Sequence, residues 1–153
     1  GPTEQYALGC VLLALGARAA CEGPLINAAM EGVMDARHRL ARLYALDGNL
    51  TKARFWLAGA AGTAVAKATE GYVLFKEREH TRAAEVLEAA LRTGRLGDDR
   101  QFAMLYLGKS WHEAGLDDRA TPLLESLAAE GTGSVFEAGA RHTLRHIADG
   151  AGH

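Results

Sequence analysis

The chain has 153 residues, of which 48% are hydrophobic and 24% charged, and its formal net charge at neutral pH is −2. This length and apolar content are enough for one domain with a buried core, and the charge excludes the basic surface that neutralises nucleic-acid phosphates. The longest apolar run near the start, Cys10–Leu15, is far shorter than the roughly 20 residues of a membrane span. We therefore expect a cytoplasmic protein with no nucleic-acid or membrane partner.

Residue usage favours helices over sheets. Alanine and leucine, which lose little rotamer freedom in a helix, are abundant, and the chain contains only three prolines. Two cysteines, Cys10 and Cys21, are too few for a disulfide framework or a zinc site, so we expect reduced thiols that pack among other side chains. The opening Gly1-Pro2 is typical of the remnant left when a tag is removed by a protease.

The first predicted hairpin of helices is the weakest in sequence. Leu8, Gly9 and Leu12 lie on its first helix, and Leu25 and Ala28 on its second. We expect the Gly23-Pro24 pair to end one helix and begin the next, because proline is tolerated in the first turn of a helix.

Three further hairpins follow with the same pattern, at 36–61, 70–91 and 104–127. Their predicted turns are Asp47-Gly48, Glu79-His80 and Gly115. When the three hairpins are aligned, small residues occupy one equivalent position and leucines a second. Both sets recur at the same intervals along the sequence, which indicates an internal repeat. We expect the small residues to face alanines of the second helices, so that the backbones approach closely. The small residues are Ala41, Gly71 and Gly108, the leucines Leu57, Leu87 and Leu124, and the facing alanines Ala53, Ala83 and Ala120.

The last part of the chain predicts two further helix starts. Pro122 fits the first turn of a helix that begins near Asp118, and Ser134 with Glu137 forms a capping box. We expect nine helices or so in a single domain spanning 1–153, with repeats at about 4–32, 34–62, 64–93 and 98–130 and a capping helix at 134–148.

These residues resemble two repeat families. The pattern of each later hairpin resembles the tetratricopeptide repeat. In that pattern a leucine is followed by a small residue, with an aromatic residue three positions on and a glycine at the turn. An alanine, a bulky apolar residue and a second alanine come after the turn. The strings Ala28-Ala29-Met30-Glu31-Gly32 and Ala128-Ala129-Glu130-Gly131 resemble the junction of SEL1-like repeats. The resemblance implies an all-α, right-handed α-solenoid of antiparallel helical hairpins, whose concave wall is built from the first helix of each hairpin and binds peptides or partner helices.

Projection of the repeat onto that wall predicts a groove of aromatic and cationic side chains. Basic residues such as Arg42 and Lys109 would pair with carboxylates of a peptide, as the carboxylate clamps of the tetratricopeptide family do. The predicted groove residues are Tyr6, Cys10, His38, Arg42, Tyr72, Phe75, Leu105, Lys109, His112 and His142.

Other sites are weighed against this groove. His142 and His146 are one helical turn apart and Asp149 follows, a spacing that can hold a metal, but a solvated helix face is the better account because no HExxH glutamate, cysteine pair or second histidine cluster accompanies them. His112 and Glu113 point about 100° apart on a helix, so we expect that they cannot act together as acid and base on one substrate atom. Phosphate-binding loops, dinucleotide fingerprints and nucleophile elbows are absent from the sequence.

We therefore expect a non-catalytic scaffold or adaptor that binds an acidic protein or peptide, or one with a free carboxylate, without cofactor or metal. Two alternatives stay open: a regulatory or self-assembling domain of a larger protein, which includes a homo-oligomer, and, with less support, an enzyme.

Overall fold

The computed structural model describes residues 1–60 and 62–150. Its elements form two compact units, the first ending at Gly62 and the second beginning at Thr63. The described residues contain nine α-helices and no strand, which confirms the all-α prediction and the expected number of helices. Whether 1–153 acts as a single domain stays a prediction.

The first unit consists of two helical pairs. Its helices are α1 (Pro2–Ala14), α2 (Arg18–Met30), α3 (Met34–Leu46) and α4 (Leu50–Ala58). α1 packs against α2, α2 against α3, and α3 against α4. Each short turn reverses the chain, so each pair is a helical hairpin.

The second unit continues the pattern with five helices. They are α5 (Ala64–Lys76), α6 (His80–Arg92), α7 (Arg100–Glu113), α8 (Asp117–Ala128) and α9 (Val135–Ala148), with a short 3-10 helix at Gly97–Asp99. Each helix packs against its successor in the chain, and α7 also contacts α5 and α9. α7 is therefore the central helix of this unit.

A glycine on the first helix meets a leucine on the second in three of the hairpins. A Cβ added at Gly9 would overlap the side chain of Leu25, and one added at Gly71 or Gly108 would overlap Leu87 or Leu124. The separation in sequence between glycine and leucine is the same each time. The repeated spacing in the sequence thus corresponds to a contact that recurs in the structure. The first hairpin makes this contact too.

The partner of each glycine differs from the expected one. Ala83 and Ala120 are fully buried, as is Ala53 of the first unit, but the atoms nearest to Gly71 and Gly108 belong to the leucines. The leucine needs the room because its side chain is large and buried against the facing backbone.

The predicted turn at Gly23-Pro24 is wrong. The chain turns at Leu15-Gly16-Ala17, where Gly16 has φ +77°, and Pro24 lies inside α2. Proline in a helix interior removes one backbone hydrogen bond and costs about 3 kcal/mol. The helix continues because it buries Cys21, Leu25 and Ala28 on one face across the proline.

Two other predicted positions shift by a few residues. α8 begins at Asp117, so Pro122 lies in its second turn rather than its first. The turn between α5 and α6 is Glu77-Arg78-Glu79, and His80 already belongs to α6. Both shifts follow the leucine register, which fixes where the second helix of a hairpin starts.

Both cysteines are free thiols. Cys21 is buried and its Sγ donates to the carbonyl oxygen of Arg18 at 3.1 Å, whereas Cys10 is half-buried. Cys21 therefore packs in the first unit as expected of a small apolar side chain.

Ser134 caps α9 as predicted, but the Glu137 carboxylate accepts from the N–H groups of Thr132 and Gly133 in place of the Ser134 N–H of a capping box. The backbone N–H of Glu137 donates to Ser134 Oγ at 3.1 Å. The Glu137 carboxylate accepts from the N–H groups of Thr132 and Gly133 at 2.9 and 3.1 Å, from the Thr132 hydroxyl, and from Gln101 at 3.0 Å. These bonds, chiefly that of the Thr132 hydroxyl, lower the pKa of Glu137 from its ordinary 4.5 to about 2 despite burial.

Gln101 connects this network to a second carboxylate. Its amide also donates to Glu130 at 2.8 Å, and the Arg100 guanidinium pairs with the same carboxylate at 2.5 Å. Hydrogen bonds from Arg100 and Gln101 lower the pKa of Glu130. The start of α7 is thus joined to the loop that leads into α9.

We expect the substitution Gly108→Leu to destabilise the protein by about 1–3 kcal/mol, because the new side chain overlaps Leu124 at the hairpin contact. Urea unfolding measures the loss. The substitution Glu88→Ala, which removes only a solvated ion pair with Arg92 at 3.6 Å, is the control and should change stability little. Equal urea midpoints for wild type and Gly108→Leu would contradict the register.

We expect Arg78→Gly to stabilise the protein by about 1 kcal/mol, because Arg78 has φ +65° and left-handed backbone costs a side chain about 1–2 kcal/mol. Gly115, at the corresponding turn of the next hairpin, has φ +80°. Gly115→Ala is therefore the matched reverse change and should destabilise. Thermal unfolding measures both, and a lower melting temperature for Arg78→Gly would show that its side chain makes a contact worth more than the strain.

Glu137 predicts a specific acid sensitivity. Because its folded pKa is lowered to about 2, its stabilisation is complete above the ordinary 4.5 and is lost as the pH falls from 4.5 towards 2. Glu137→Gln should be less stable than wild type at pH 7, and its unfolding free energy should change less across that interval. Glu125→Gln, an exposed change on α8, is the control. If the unfolding free energy of Glu137→Gln falls as much as that of wild type between pH 4.5 and 2, the Glu137 carboxylate is not the cause of the acid sensitivity.

Candidate functional site

A pocket of about 150 Å³ opens within the second unit, between α5, α7 and α9. The first two helices are each the first helix of a hairpin, and α9 closes the unit against α7. The side chains around the pocket include one lysine, three histidines, one aromatic ring, one carboxylate and one hydroxyl group. They are Phe75, Lys109, His112, Glu113, His142, Thr143 and His146.

Phe75 joins the pocket to an aromatic cluster. Its ring centroid lies 5.4 Å from that of Tyr106 in an edge-to-face arrangement, and Tyr106 lies 4.7 Å from Tyr72. Tyr72 also contacts Phe102 at 5.3 Å and is almost fully buried. The cluster gives the apolar side of the pocket a firm support, because edge-to-face pairs of packed rings hold one another in place.

Lys109 is the charged group most affected by the pocket. Partial burial lowers the pKa of its ammonium group, the nearby charge of Lys76 lowers it further, and Glu113 opposes both. An ammonium group that is poorly solvated and repelled by a neighbouring cation gains from an added anion. The pocket therefore favours a negatively charged group of a ligand.

Three histidines line the same pocket as Lys109. His112 is buried, and its Nδ1 lies 2.7 Å from Asp117 Oδ1 at the start of α8, which fixes the plane of the ring. His142 and His146 are exposed on successive turns of α9, with ring centroids 4.6 Å apart. The hydroxyl of Thr143 donates to the carbonyl oxygen of Gly139 at 3.0 Å within the same helix. Their ring N–H groups are hydrogen-bond donors that an anionic group can accept from.

The structure also bears on the candidate metal site and on the His112–Glu113 pair. In the described part of the chain, no three histidine, cysteine, aspartate or glutamate side chains come together as a group that could hold a metal ion. His112 and Glu113 do line the same pocket, although they are neighbours in sequence. The absence of an enzymatic function stays a prediction.

Four predicted groove residues thus meet at one place: Phe75, Lys109, His112 and His142. Two others in the second unit are interior. Tyr72 belongs to the aromatic cluster, and Leu105 is buried where the Gly139 backbone of α9 approaches its side chain.

The remaining predicted residues lie in the first unit. His38 is buried in α3, and Arg42 is half-buried one turn later. The Tyr6 hydroxyl accepts from Arg39 Nε at 2.9 Å, which leaves the ring half-buried beside Cys10. A peptide-binding role for these residues stays a prediction.

Three residues that line the pocket were not among the predicted groove residues: Glu113, Thr143 and His146. The sequence pairs His146 with His142 one helical turn earlier, but as a candidate metal site and not as part of the groove. Glu113 precedes the turn of its hairpin and carries no such signal.

Comparison with models of known protein families, with curated proteins and with solved structures finds no match for this chain. None of the helices in 1–60 and 62–150 has the combination of length and apolar composition needed to cross a bilayer.

Proposed function

We propose that the chain is a non-catalytic protein-binding module, and that the α5–α7–α9 pocket takes a carboxylate of a partner. The carboxylate belongs to an acidic side chain or to a free chain end. The observation that carries the proposal is the half-buried Lys109, whose pKa is lowered first by burial and then by the charge of Lys76, in a pocket that three histidines also line. Phe75 offers an apolar surface beside it, suited to the carbon atoms next to the carboxylate.

The proposed architecture is a right-handed α-solenoid similar to tetratricopeptide and SEL1-like repeats. The shared glycine–leucine contact supports it, because solenoids are built from repeated units of the same internal structure. Its consequence for function is that α5 and α7, both first helices, bring their side chains to one surface. A cytoplasmic scaffold or adaptor role accords with this proposal.

A size argument favours a single carboxylate over a larger anion. A volume of about 150 Å³ holds one small group and part of the chain that carries it. Glu113 lies at the same pocket and repels a dianion more strongly than a monoanion. A peptide would therefore place one acidic residue, or its terminal carboxylate, in the pocket.

The test uses synthetic peptides in matched pairs, with a free or amidated C-terminus and with aspartate or asparagine in the chain, and measures Kd by isothermal titration calorimetry. We expect acidic members to bind and neutral ones to bind about tenfold more weakly or not at all, which corresponds to about 1.4 kcal/mol. Higher salt should weaken binding, because the partners have opposite charges.

Lys109→Met should weaken the acidic peptides by a similar factor, because methionine keeps the apolar stem but removes the charge. Lys67→Met, an exposed change on α5 away from the pocket, is the matched control. Circular dichroism verifies that both variants remain helical. Peptides that bind wild type and Lys109→Met equally, or a preference for cationic peptides, would exclude the pocket as the proposed site.

A further inference from the structure

A second pocket, of about 110 Å³, opens within the second unit between α6, the end of α7 and the start of α8. It shares no residue with the α5–α7–α9 pocket. Its lining combines an indole ring, small side chains, two carboxylates and a guanidinium group. Among the lining residues are Ala84, Glu85, Glu88, Trp111, Ala114 and Arg119.

The repeat gives this pocket an equivalent place in the first unit. The repeated small residues and leucines align α6 with α2, and α7 and α8 with α3 and α4. Trp111 follows Gly108 by three positions, as Tyr44 follows Ala41. The indole ring of the pocket therefore corresponds to the ring of Tyr44, near the end of α3.

In the first unit an arginine of the chain itself covers the equivalent ring. The Arg18 guanidinium group lies 5.9 Å from the centroid of the Tyr44 ring, and it pairs with Glu22 at 3.1 Å and with Asp47 at 2.5 Å. The ammonium group of Lys52 lies 5.2 Å from the same centroid. This place in the repeat thus holds cations against an aromatic ring, with carboxylates beside them.

The second unit has no arginine at the aligned position. His80, the first residue of α6, takes the place of the arginine that begins α2, and its ring lies against Phe75 with centroids 5.3 Å apart. The two paired carboxylates are replaced by the small side chains of Ala84 and Ala114. These shorter side chains leave the pocket open beside the indole ring.

Two carboxylates nevertheless line this pocket, both from α6, where the aligned positions of α2 are uncharged. Glu85 is exposed and makes no ion pair in the described part of the chain, and Glu88 pairs with Arg92 at 3.6 Å on the surface. Arg119 lines the pocket too, so its described lining has two carboxylates against one guanidinium group. A cation is therefore attracted both by the carboxylates and by the face of the indole ring.

We propose that this pocket binds the side chain of an arginine from a partner protein, between the Trp111 ring and the carboxylates of Glu85 and Glu88. The planar guanidinium group stacks on the indole ring and donates to the carboxylates, as the guanidinium group of the first unit does within the chain. Lysine fits less well, because its ammonium group is more strongly hydrated and has no planar fork. This inference does not depend on the α5–α7–α9 pocket or on its ligand.

The test titrates the nitrogen-15-labelled full chain with a tripeptide, acetyl-glycyl-arginyl-glycine amide, and follows the indole N–H signals of Trp56 and Trp111 by NMR. We expect the Trp111 signal to shift and saturate with a Kd of about 1 mM, while the Trp56 signal stays in place. The same peptide with citrulline, which keeps the shape of arginine without its charge, should bind about tenfold more weakly or not at all.

Removal of the two carboxylates tests their role. Glu85→Gln with Glu88→Gln should weaken the arginine peptide by about tenfold, because both charges are lost while the side chains keep their size. Glu79→Gln with Glu125→Gln removes the same number of charges at exposed positions outside the pocket, and it is the matched control. Circular dichroism verifies that both double variants remain helical.

His80→Arg tests the comparison between the two units. The new guanidinium group should cover Trp111 as Arg18 covers Tyr44, so the Trp111 signal should move without peptide and the arginine peptide should no longer bind. Ser126→Arg adds the same charge at an exposed position elsewhere on α8 and should still bind the peptide.

The absence of a saturating Trp111 shift up to about 10 mM peptide, or equal affinities for the arginine and citrulline peptides, would overturn the proposal. An affinity that stays at the wild-type value in the Glu85 and Glu88 double variant, or in His80→Arg, would equally overturn it.

Discussion

The structure depends on one close contact, in which a glycine of the first helix leaves room for a leucine of the second. Gly9–Leu25, Gly71–Leu87 and Gly108–Leu124 make the same contact in three hairpins. Any Cβ at the glycine would overlap the leucine, so the helices could not approach as closely. The contact fixes which faces of the two helices meet, and therefore which faces are left to pack against the next helix or to meet solvent.

In the second unit this choice of faces produces the pocket. With Gly108 turned towards α8, the neighbouring positions of α7 turn towards α5 and α9, where Lys109 and His112 line the pocket with Phe75 and His142. The network around Glu137 ties the start of α7 to the loop before α9 and so supports the side of the pocket that α9 supplies. The residues that pack the hairpins and the residues that line the pocket thus lie on different faces of the same helices.

Much of the fold follows from the sequence because a repeated contact leaves a repeated pattern. The columns of small residues and leucines locate the helices of the later hairpins, and Ser134 with Glu137 locates the start of α9. The first turn could not be found in this way, because Gly23-Pro24 is a stronger local signal than Gly16, and only the buried face of α2 outweighs it. The pocket was predicted in part: Lys109 and His142 project into it, whereas Tyr72 and Leu105 lie on the same helices but pack inwards.

The short turns have a consequence for how the chain reaches its structure. Each glycine–leucine contact joins helices that are neighbours in sequence, so forming it closes only a small loop and costs little chain entropy. Proteins dominated by such local contacts have low contact order and fold in microseconds to milliseconds. Once one hairpin has formed, few contacts between residues far apart in sequence remain to be made. Little apolar surface is therefore exposed while the rest of the chain folds.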